Sequence, residues 1–258
     1  MSTCSYTVDE HGVALMLINN PPMNALSTPV IKDIREAVEK AIADKAVRVV
    51  VFSGEGKAFI AGADISEFTN LNGKKEGSDW LKAGQDLLNL IENADKPFIA
   101  AVNGYALGGG TELALACHMR LADETAQMGL PEIKLGIIPG FGGTQRSPRL
   151  IGTGRAYELI LSGNFISGRQ AAEYGLVNRC TPKGEVVDEA KKLAHAIALR
   201  GRPAIKTAME VIKKGLAMEF NSALKMERDE FGKLCETDNK REGVSAFLAK
   251  RDPVPKDS

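Results

Sequence analysis

Short apolar runs alternate with amphipathic segments along the first two thirds of the chain. Runs of β-branched and other apolar residues at Val13–Ile18, 47–52 and Phe98–Val102 are typical of strands that are buried on both faces. Segments in which apolar residues recur every three or four positions lie between these runs, as expected for helices packed on a sheet. The alternation predicts an α/β fold.

Two of the intervening segments carry helix signals. Ser27 or Thr28 can cap a first helix, Pro29 suits its first turn, and apolar residues then recur at helical spacing. A second helix is predicted over 78–92. Residues 69–84 contain many turn formers and little periodicity, so this stretch is expected to form a mobile loop or lid.

From about Gly184 the pattern is helical only. One apolar stripe recurs at helical spacing over 187–197, and another recurs over 220–234. The sequence therefore predicts two regions, an α/β core over 1–183 and a helical region over 184–258.

Composition and charge narrow the class of protein. The chain has 258 residues, of which 44% are hydrophobic, and this is enough for a large domain with a substantial core. Lys+Arg and Asp+Glu number 33 each, so the net charge is zero and no nucleic-acid or anionic-membrane partner is indicated. The chain start lacks a signal or transit pattern, and no apolar segment approaches the ~20 residues that cross a bilayer. A soluble protein is expected.

The cysteines indicate a reducing compartment. Cys4, Cys117, Cys180 and Cys235 lie far apart in the chain, and no histidine stands near them at ligand spacing. Neither a zinc site nor a disulfide framework is suggested. Reduced thiols and a cytoplasmic location are therefore expected.

Two segments rich in small residues follow predicted strands. The first, 57–64, reads Lys-Ala-Phe-Ile-Ala-Gly-Ala-Asp, and its small residues indicate that another group approaches its backbone closely. The second, 102–116, reads as a strand, a glycine-rich turn and a helix, where N–H groups and the helix dipole can face a ligand. Two such backbone sites could hold a thioester oxygen as it becomes an enolate. The same glycines are also compatible with tight turns alone.

Two glutamates accompany these glycine-rich segments. Glu112 is in the first turn of the predicted helix, where a carboxylate can act on a bound ligand or simply interact with the helix dipole or a cap. Glu132 lies in an apolar run punctuated by Pro and Gly, where a carboxylate is costly unless it is paired or hydrogen-bonded. Their spacing alone does not show whether the fold brings them together.

The segments 57–64, 102–116 and 129–146 together resemble the signature segments of the crotonase, or enoyl-CoA hydratase/isomerase, family. The resemblance extends from about Gly12 to Pro253. It implies a crotonase-type spiral of ββα turns, followed by a C-terminal helical region that packs between subunits. The implied assembly is a homotrimer or a hexamer made of two trimers.

The resemblance also implies roles for individual residues. The family's oxyanion-hole donors correspond to the backbone N–H groups of Ala61 and Gly109, and its two catalytic glutamates correspond to Glu112 and Glu132. Family hydratases carry both glutamates, whereas several isomerase branches retain one. The implied reaction is reversible syn addition of water to a trans-2-enoyl-CoA, with no metal and no cofactor beyond the coenzyme A of the substrate.

The same resemblance suggests where coenzyme A binds. Adenine is expected near Ala61, Gly62, Ala63 and Asp64, although Asp64 fits a role in shaping the loop better than a role in the reaction. Lys57 and Lys250 are candidates for the phosphates, but most surface lysines are simply solvated. Many relatives have alanine at the position of Phe141, so the acyl-chain length stays open.

Two other functions are alternatives to hydration. An isomerase that moves a double bond from position 3 to position 2 could use Glu132 alone as a proton shuttle. One branch of the family binds AU-rich RNA. The zero net charge and the 5% aromatic content of this chain argue against this function, because phosphate binding needs an excess of basic residues and base stacking needs aromatic residues.

Overall fold

The computed structural model describes residues 2–69 and 71–254, and their strands form two sheets. The strands are β1 (Cys4–Val8), β2 (Val13–Ile18), β3 (Val49–Gly54), β4 (Ala58–Ile60), β5 (Phe98–Val102), β6 (Tyr105–Leu107), β7 (Met119–Asp123), β8 (Gln127–Gly129), β9 (Phe165–Ser167) and β10 (Arg179–Thr181). The larger sheet has the order β1-β2-β3-β5-β7-β10, and the smaller has the order β4-β6-β8-β9.

Helices connect and follow these strands. The α-helices are α1 (Thr28–Ala43), α2 (Ile65–Phe68), α3 (Lys74–Glu92), α4 (Gly109–Ala116), α5 (Gly143–Ser162), α6 (Gly168–Tyr174), α7 (Val186–Ala198), α8 (Arg202–Gly215), α9 (Phe220–Cys235) and α10 (Asp238–Leu248). A 3-10 helix spans Pro131–Leu135.

From β3 to β8, consecutive strands belong alternately to the larger and the smaller sheet. β3, β5 and β7 pair in parallel in the larger sheet, and each is followed at once by a strand of the smaller sheet, where β4, β6 and β8 also pair in parallel. Helices follow each of these strand pairs. The repeated unit is therefore strand–strand–helix, and the predicted spiral of ββα turns is confirmed. All residues of β3 and β5 are buried, as expected for parallel strands that are covered on both faces.

Two glycines let successive turns of the spiral stack closely. A Cβ atom on Gly104, between β5 and β6, would overlap the backbone carbonyl of Lys57 in the preceding turn. A Cβ atom on Gly110, at the start of α4, would overlap the carbonyl of Ile60 in β4. Glycine at these positions brings α4 directly against β4.

The predicted strands and the first helix are found with small differences. The second predicted strand, 47–52, lies at Val49–Gly54, and the other two predicted strands have the expected bounds. Helix α1 begins after Ser27, but the Ser27 side chain makes no capping hydrogen bond. Instead, the Glu67 carboxylate accepts hydrogen bonds from the Thr28 backbone N–H and hydroxyl, both at 2.8 Å. A carboxylate from α2 therefore supplies the cap of α1.

The expectation of a mobile loop or lid over 69–84 is wrong for most of that stretch. Helix α3 begins at Lys74 and continues to Glu92, which also places its start before the predicted 78. Its first turns are exposed and therefore lack apolar periodicity, whereas Gly84, Leu87 and Leu88 are buried further along. Asn70, one of the turn formers behind the expectation, lies outside the described residues.

Four helices, α7 to α10, make up the C-terminal part, as the periodicity predicts. Contacts divide the chain into two compact units, the first ending at Ala194 and the second beginning at His195. The division falls inside α7, later than the predicted boundary at 183/184, because Val186, Ala190 and Ala194 form a buried stripe that belongs to the first unit. Over 2–69 and 71–254, no helix is both long and apolar enough to span a bilayer.

Candidate active site

The turn between β6 and α4 brings backbone N–H groups and a carboxylate together. Gly108 has φ +51, and a Cβ atom there would lie 2.8 Å from Glu132 Oε1. The positive φ favours glycine, and a side chain at this position would displace the Glu132 carboxylate. Gly109 follows as the first residue of α4, so its N–H has no acceptor within the helix and is available to a ligand.

Thr111 ties the start of α4 to the end of β8. Its hydroxyl lies within hydrogen-bonding distance of the carbonyls of Ala106 and Gly129, and it also accepts a hydrogen bond from Gly129 N–H at 3.2 Å. Gly108 N–H donates to the same Gly129 carbonyl at 2.9 Å. These contacts hold the segment that leads into Glu132 against the turn that precedes Glu112.

Glu112 is almost completely buried, and one of its oxygens is held by two backbone groups. Its exposed fraction is 1%. Oε1 accepts hydrogen bonds from Phe141 N–H at 2.8 Å and from Gly143 N–H at 2.7 Å. Between these donors, Gly142 has φ +110, which lets both N–H groups converge on one acceptor.

Glu132 is the second carboxylate of the site. It lies in the first turn of the 3-10 helix Pro131–Leu135, directly after β8. Its Oε2 is buried and has no hydrogen-bond partner within the described structure. A buried oxygen without a partner is costly, so it is suited to bind a water molecule or a reacting proton.

Burial raises the pKa of both carboxyl groups into the neutral range. Burial and then the charge of Glu132 raise the pKa of Glu112 to about 7, although the N–H groups of Phe141 and Gly143 and the charge of Arg146 act in the opposite direction. Burial also raises the pKa of Glu132 to about 7. Near neutral pH the two carboxyl groups can therefore share one proton.

A cleft of about 630 Å³, including the solvent at its mouth, lies in front of both carboxylates. Its polar part consists of Glu112, Glu132 and the backbone at 61–63 and 108–109. The rest of its wall is apolar, and consists of Ile65, Phe68, Trp80, Leu81, Leu107, Pro131, Leu135, Ile137, Ile138, Gly140 and Phe141. A few polar groups at the end of an apolar cleft are typical of a site that binds an acyl chain and acts on one end of it.

The segment 61–64 pairs with the chain between β2 and α1, and this pairing decides which N–H group is free. Ala61 N–H donates to the carbonyl of Met23 at 3.0 Å. Leu26 N–H donates to Gly62 O, and Asp64 N–H donates to Leu26 O, so Leu26 and Ala63 form a parallel bridge. In such a bridge the N–H of Ala63 points away from Leu26.

The structure therefore corrects the assignment of Ala61 as a donor to the oxyanion. Its N–H is already used, whereas the Ala63 N–H is directed away from the paired chain and Ala63 lines the cleft. Ala63 and Gly109 are the backbone donors that the geometry supports. The sequence shows the small residues of this segment but not its pairing partner, so it could not distinguish Ala61 from Ala63.

Three aromatic rings form one side of the cleft. Trp80 stacks on Phe141, with ring centroids 5.2 Å apart, and Phe68 contacts Trp80 edge-on at 5.0 Å. Glu67 Oε2 accepts a hydrogen bond from Trp80 Nε1 at 2.8 Å, which fixes the orientation of the indole. Trp80 was not among the site residues expected from the sequence, although an apolar ring on an amphipathic helix is a signal of a buried or lining position.

Gly62 and Asp64, two of the residues expected near the adenine, have different positions in the structure. Gly62, with φ +109, lines the cleft together with Ala61 and Ala63. Asp64 caps α2, since its Oδ1 accepts hydrogen bonds from Ser66 N–H at 3.0 Å and from the Ser66 hydroxyl at 2.7 Å, which is the loop-shaping role expected for it.

Neither candidate lysine has a contact that indicates phosphate binding. Lys57 is exposed in the turn between β3 and β4. Lys250 is exposed after α10, in the second compact unit. Their assignment stays a prediction.

Comparison with known proteins places the chain in a family. A family model described as enoyl-CoA hydratase/isomerase matches residues 9–258. The chain is 44% identical over 254 residues to a probable enoyl-CoA hydratase of Bacillus subtilis (strain 168), covering 98% of each chain. It is 41% identical over 244 residues to the crotonyl-CoA hydratase of Syntrophomonas wolfei subsp. wolfei, covering 94% of each. The crystal structure of an enoyl-CoA hydratase from Bacillus anthracis matches with a TM-score of 0.94 and 37% identity, covering 99% of this chain and 100% of that one. The chain therefore belongs to the enoyl-CoA hydratase/isomerase family.

Proposed function

We propose that this protein is an enoyl-CoA hydratase that adds water reversibly across the 2,3 double bond of a trans-2-enoyl-CoA to give a 3-hydroxyacyl-CoA. The observation that carries the proposal is a pair of carboxyl groups, the buried Glu112 and the partly buried Glu132, which line one cleft and each have a pKa of about 7. Groups with such pKa values can act as acid and base at neutral pH. The hydratase names of its relatives support the same reaction.

In the proposed mechanism, backbone N–H groups first polarise the substrate. The thioester oxygen accepts hydrogen bonds from Ala63 N–H and Gly109 N–H, which stabilise the enolate as it forms. One such donor is typically worth about 3 to 4 kcal/mol in the transition state. Withdrawal of electrons from the double bond makes C3 electrophilic.

The two carboxyl groups then handle one water molecule. Glu112, in its ionised form, accepts a proton from water as the water oxygen bonds to C3, and the electron pair of the double bond moves into the enolate. When the enolate collapses, C2 takes the proton of Glu132. One face of the substrate receives both groups, so the addition is syn. The pair begins and ends with one proton, because Glu112 has gained one and Glu132 has lost one.

This proton count predicts a bell-shaped dependence of kcat on pH. Below the acid limb both carboxyl groups are protonated and no base is present. Above the alkaline limb both are ionised and no acid is present. We expect the optimum near the pKa of about 7 of the two groups.

We propose that the acyl chain is short. The rings of Phe141 and Trp80 stack across the apolar side of the cleft and limit its depth. Phe141 also contacts the donor end of the site, since a Cβ atom on Gly109 would lie 3.2 Å from Phe141 Cδ2. The name of the crotonyl-CoA hydratase of Syntrophomonas wolfei indicates a substrate with a short acyl group, which agrees with this inference.

We further propose that no cofactor is needed, because the carboxyl groups and backbone donors supply the chemistry and coenzyme A enters as part of the substrate. The backbone at 61–64 and the side chains of Lys57 and Lys250 are our candidates for contacts with the adenine and the phosphates of coenzyme A. We place the protein in the cytoplasm, and its four free thiols support a reducing compartment.

We propose that the protein assembles into trimers or hexamers. The second unit leaves large apolar side chains exposed, among them Leu216, Phe220, Phe231, Phe247 and Leu248. A single copy of a protein rarely exposes this much apolar surface, and closed symmetric assembly would bury it.

The function is tested by mixing purified protein with crotonyl-CoA and following the loss of the conjugated enoyl thioester absorbance, with 3-hydroxybutyryl-CoA identified by mass spectrometry. A 3-enoyl-CoA serves as the competing substrate. We expect a much larger kcat/KM for hydration. A double-bond shift without hydration would instead identify an isomerase, for which two carboxyl groups are not required.

A further inference from the structure

The segment Phe141–Gly143 holds Glu112 from one side and is itself held from the other. The N–H groups of Phe141 and Gly143 donate to Glu112 Oε1. The carbonyl of Phe141, between them in the chain, accepts a hydrogen bond from Arg146 Nη1 at 2.8 Å. The position of the Glu112 carboxylate therefore depends on what holds this segment.

Arg146 connects the segment to helix α3. Its Nη2 donates to Glu92 Oε2 at 2.7 Å and to Asn89 Oδ1 at 2.9 Å, and its Nε also lies 3.2 Å from Glu92 Oε2. Asn89 and Glu92 are three residues apart near the end of α3, so they lie on one face of the helix. The Arg146 side chain is only 12% exposed.

The guanidinium group also packs against the backbone of the segment. A Cβ atom on Gly142 would overlap Arg146 Nη1, so the planar group lies directly beside the residue with φ +110. Arg146 thus combines three restraints: a hydrogen bond to Phe141, close packing on Gly142 and a fixed connection to α3. A lysine could supply the charge but not this planar arrangement of donors.

We propose that Arg146 is a positioning residue for the hydration reaction, which fixes the Phe141–Gly143 segment against Glu112 through its hydrogen bond to Phe141 and its ion pair with Glu92. The inference rests on the proposed hydratase function. It assigns a role in catalysis to an ion pair, Arg146 with Glu92, that lies beside the cleft and not in its wall.

The charges around Glu112 determine the direction in which each substitution should shift the pKa of this carboxyl group. Among the described residues, Glu132 faces it from the 3-10 helix and raises its pKa, and Arg146 from α5 lowers it. Glu92 from α3 pairs with Arg146 at 2.7 Å and offsets part of the positive charge. Removal of Arg146 should therefore raise the pKa of Glu112, and removal of the Glu92 charge should lower it.

The test measures kcat and KM for crotonyl-CoA between pH 5 and 9 in the unaltered 258-residue chain and in four variants. These are Arg146→Met, Arg146→Lys, Glu92→Gln and the control Arg149→Met. Arg149 lies on the same helix but is exposed, and its Nη1 donates to the Gln145 carbonyl of its own helix. Arg149→Met removes a nearby charge without contact to the segment, so its pH profile should match that of the wild type.

We expect Arg146→Met to shift the acid limb of kcat upward by about 0.5 to 1 pH unit and to reduce the maximal kcat at least about tenfold, with KM within about threefold. Arg146→Lys should keep the limb near its original pH but still reduce kcat, because the charge stays and the planar contacts are lost. Glu92→Gln should shift the limb downward. This shift should be smaller than that of Arg146→Met, because 43% of the Glu92 side chain is exposed and its charge is screened.

Circular dichroism and light scattering on each sample show whether folding and assembly are kept. A folded Arg146→Met protein whose acid limb and kcat match those of Arg149→Met overturns the inference. If Arg146→Met does not fold, the test depends on the direction in which Glu92→Gln shifts the acid limb of kcat. An acid limb that stays unchanged or moves to higher pH in Glu92→Gln overturns the inference. Failure of the wild type to hydrate crotonyl-CoA would instead contradict the proposed function.

Discussion

At the scale of single residues, the two carboxyl groups of the cleft differ in how they are held. Both Glu112 hydrogen bonds fall on Oε1, whereas Glu132 Oε2 is buried without a partner. The first arrangement fixes a carboxylate in one orientation, and the second leaves an oxygen for a water molecule or a proton. This difference supports the proposed division into a base and a proton donor.

Replacement of either carboxyl group should remove one of the two proton transfers of the proposed mechanism. We expect Glu112→Gln and Glu132→Gln each to lower kcat by roughly 10² to 10⁴, because an amide can neither accept nor donate the reacting proton. Binding of a saturated acyl-CoA, measured by calorimetry, should change little. The exposed Glu158 on α5 offers the matched control Glu158→Gln. A variant of either cleft residue that keeps more than half of the wild-type kcat would contradict its role.

The raised pKa of Glu112 also predicts how stability depends on pH. The folded-state pKa of about 7 exceeds the ordinary value of 4.5, so the folded protein binds this proton more tightly than the unfolded chain does. The resulting stabilisation is complete below about pH 4.5 and is lost as the pH rises through 7. Ionisation of the buried Glu112 therefore lowers the stability of the folded protein, and a neutral glutamine at this position does not have this effect.

We accordingly expect Glu112→Gln to be more stable than the wild type at pH 9, by up to about 3 kcal/mol, and to have little advantage at pH 5. Unfolding by urea at one fixed protein concentration checks this, because assembly also contributes to stability. An equal difference in stability at both pH values would show that the effect does not come from ionisation of Glu112.

The ring of Phe141 should determine acyl-chain length. Phe141→Ala keeps the N–H that supports Glu112 but removes the ring stacked on Trp80. We expect kcat/KM for an eight- or ten-carbon enoyl-CoA to rise at least about tenfold relative to crotonyl-CoA, since each accommodated methylene is worth ~1 kcal/mol or more. Phe165→Ala, at a half-exposed ring, serves as the control. An unchanged preference along the chain-length series would exclude Phe141 as the limit.

At the scale of secondary-structure elements, the oxyanion site joins one helix start to one paired segment. Helix α4 supplies Gly109 N–H because the first residues of a helix have no internal acceptor. The segment 61–64 supplies Ala63 N–H because the bridge with Leu26 turns it away from the paired chain. Neither donor depends on a side chain, so exchange of side chains cannot test them.

Replacement of single peptide bonds by esters tests these donors directly. We expect lactic acid in place of Ala63, or glycolic acid in place of Gly109, to lower kcat a few hundredfold, the typical loss for one oxyanion donor. Lactic acid in place of Ala61 is the matched control, since it removes the N–H bonded to Met23. It should cost about 1 kcal/mol of stability and leave kcat within about fivefold. The opposite ranking of the Ala61 and Ala63 esters would restore Ala61 as the donor.

At the scale of the whole molecule, the second unit accounts for much of the exposed apolar surface. Phe220 and Phe231 of α9 are 72% and 68% exposed, and Leu216 after α8 is 86% exposed. Side chains of this kind are typical of surfaces that are buried on assembly.

We expect light scattering at micromolar concentration to give a mass of three or six copies of the 27.6 kDa chain. Phe231→Asp should weaken assembly, because a charge would be desolvated at the interface. Lys225→Asp, an exposed polar position elsewhere on α9, should not. A sharp monomer peak for the unaltered chain would contradict assembly through this unit.

Elements whose cause is local could be predicted from the amino-acid sequence alone. The strands Val13–Ile18 and Phe98–Val102, the helix after Ser27 and the helical C-terminal part follow from hydrophobic periodicity and turn chemistry, which short stretches of chain contain. The glycine-rich turn before α4 and the candidate glutamates were likewise visible as residue types in order along the chain.

Features that depend on contacts between distant segments could be established only from the folded structure. Ala61 and Ala63 look equivalent in the sequence, but pairing with Met23 and Leu26 occupies one N–H and frees the other. The first turns of α3 lack an apolar stripe because they are exposed, so periodicity could not identify them. The pKa values of Glu112 and Glu132 are raised because the fold removes both carboxyl groups from solvent beside one cleft. This burial results from the packing of segments that are distant in the chain, so it could not be predicted from local sequence patterns.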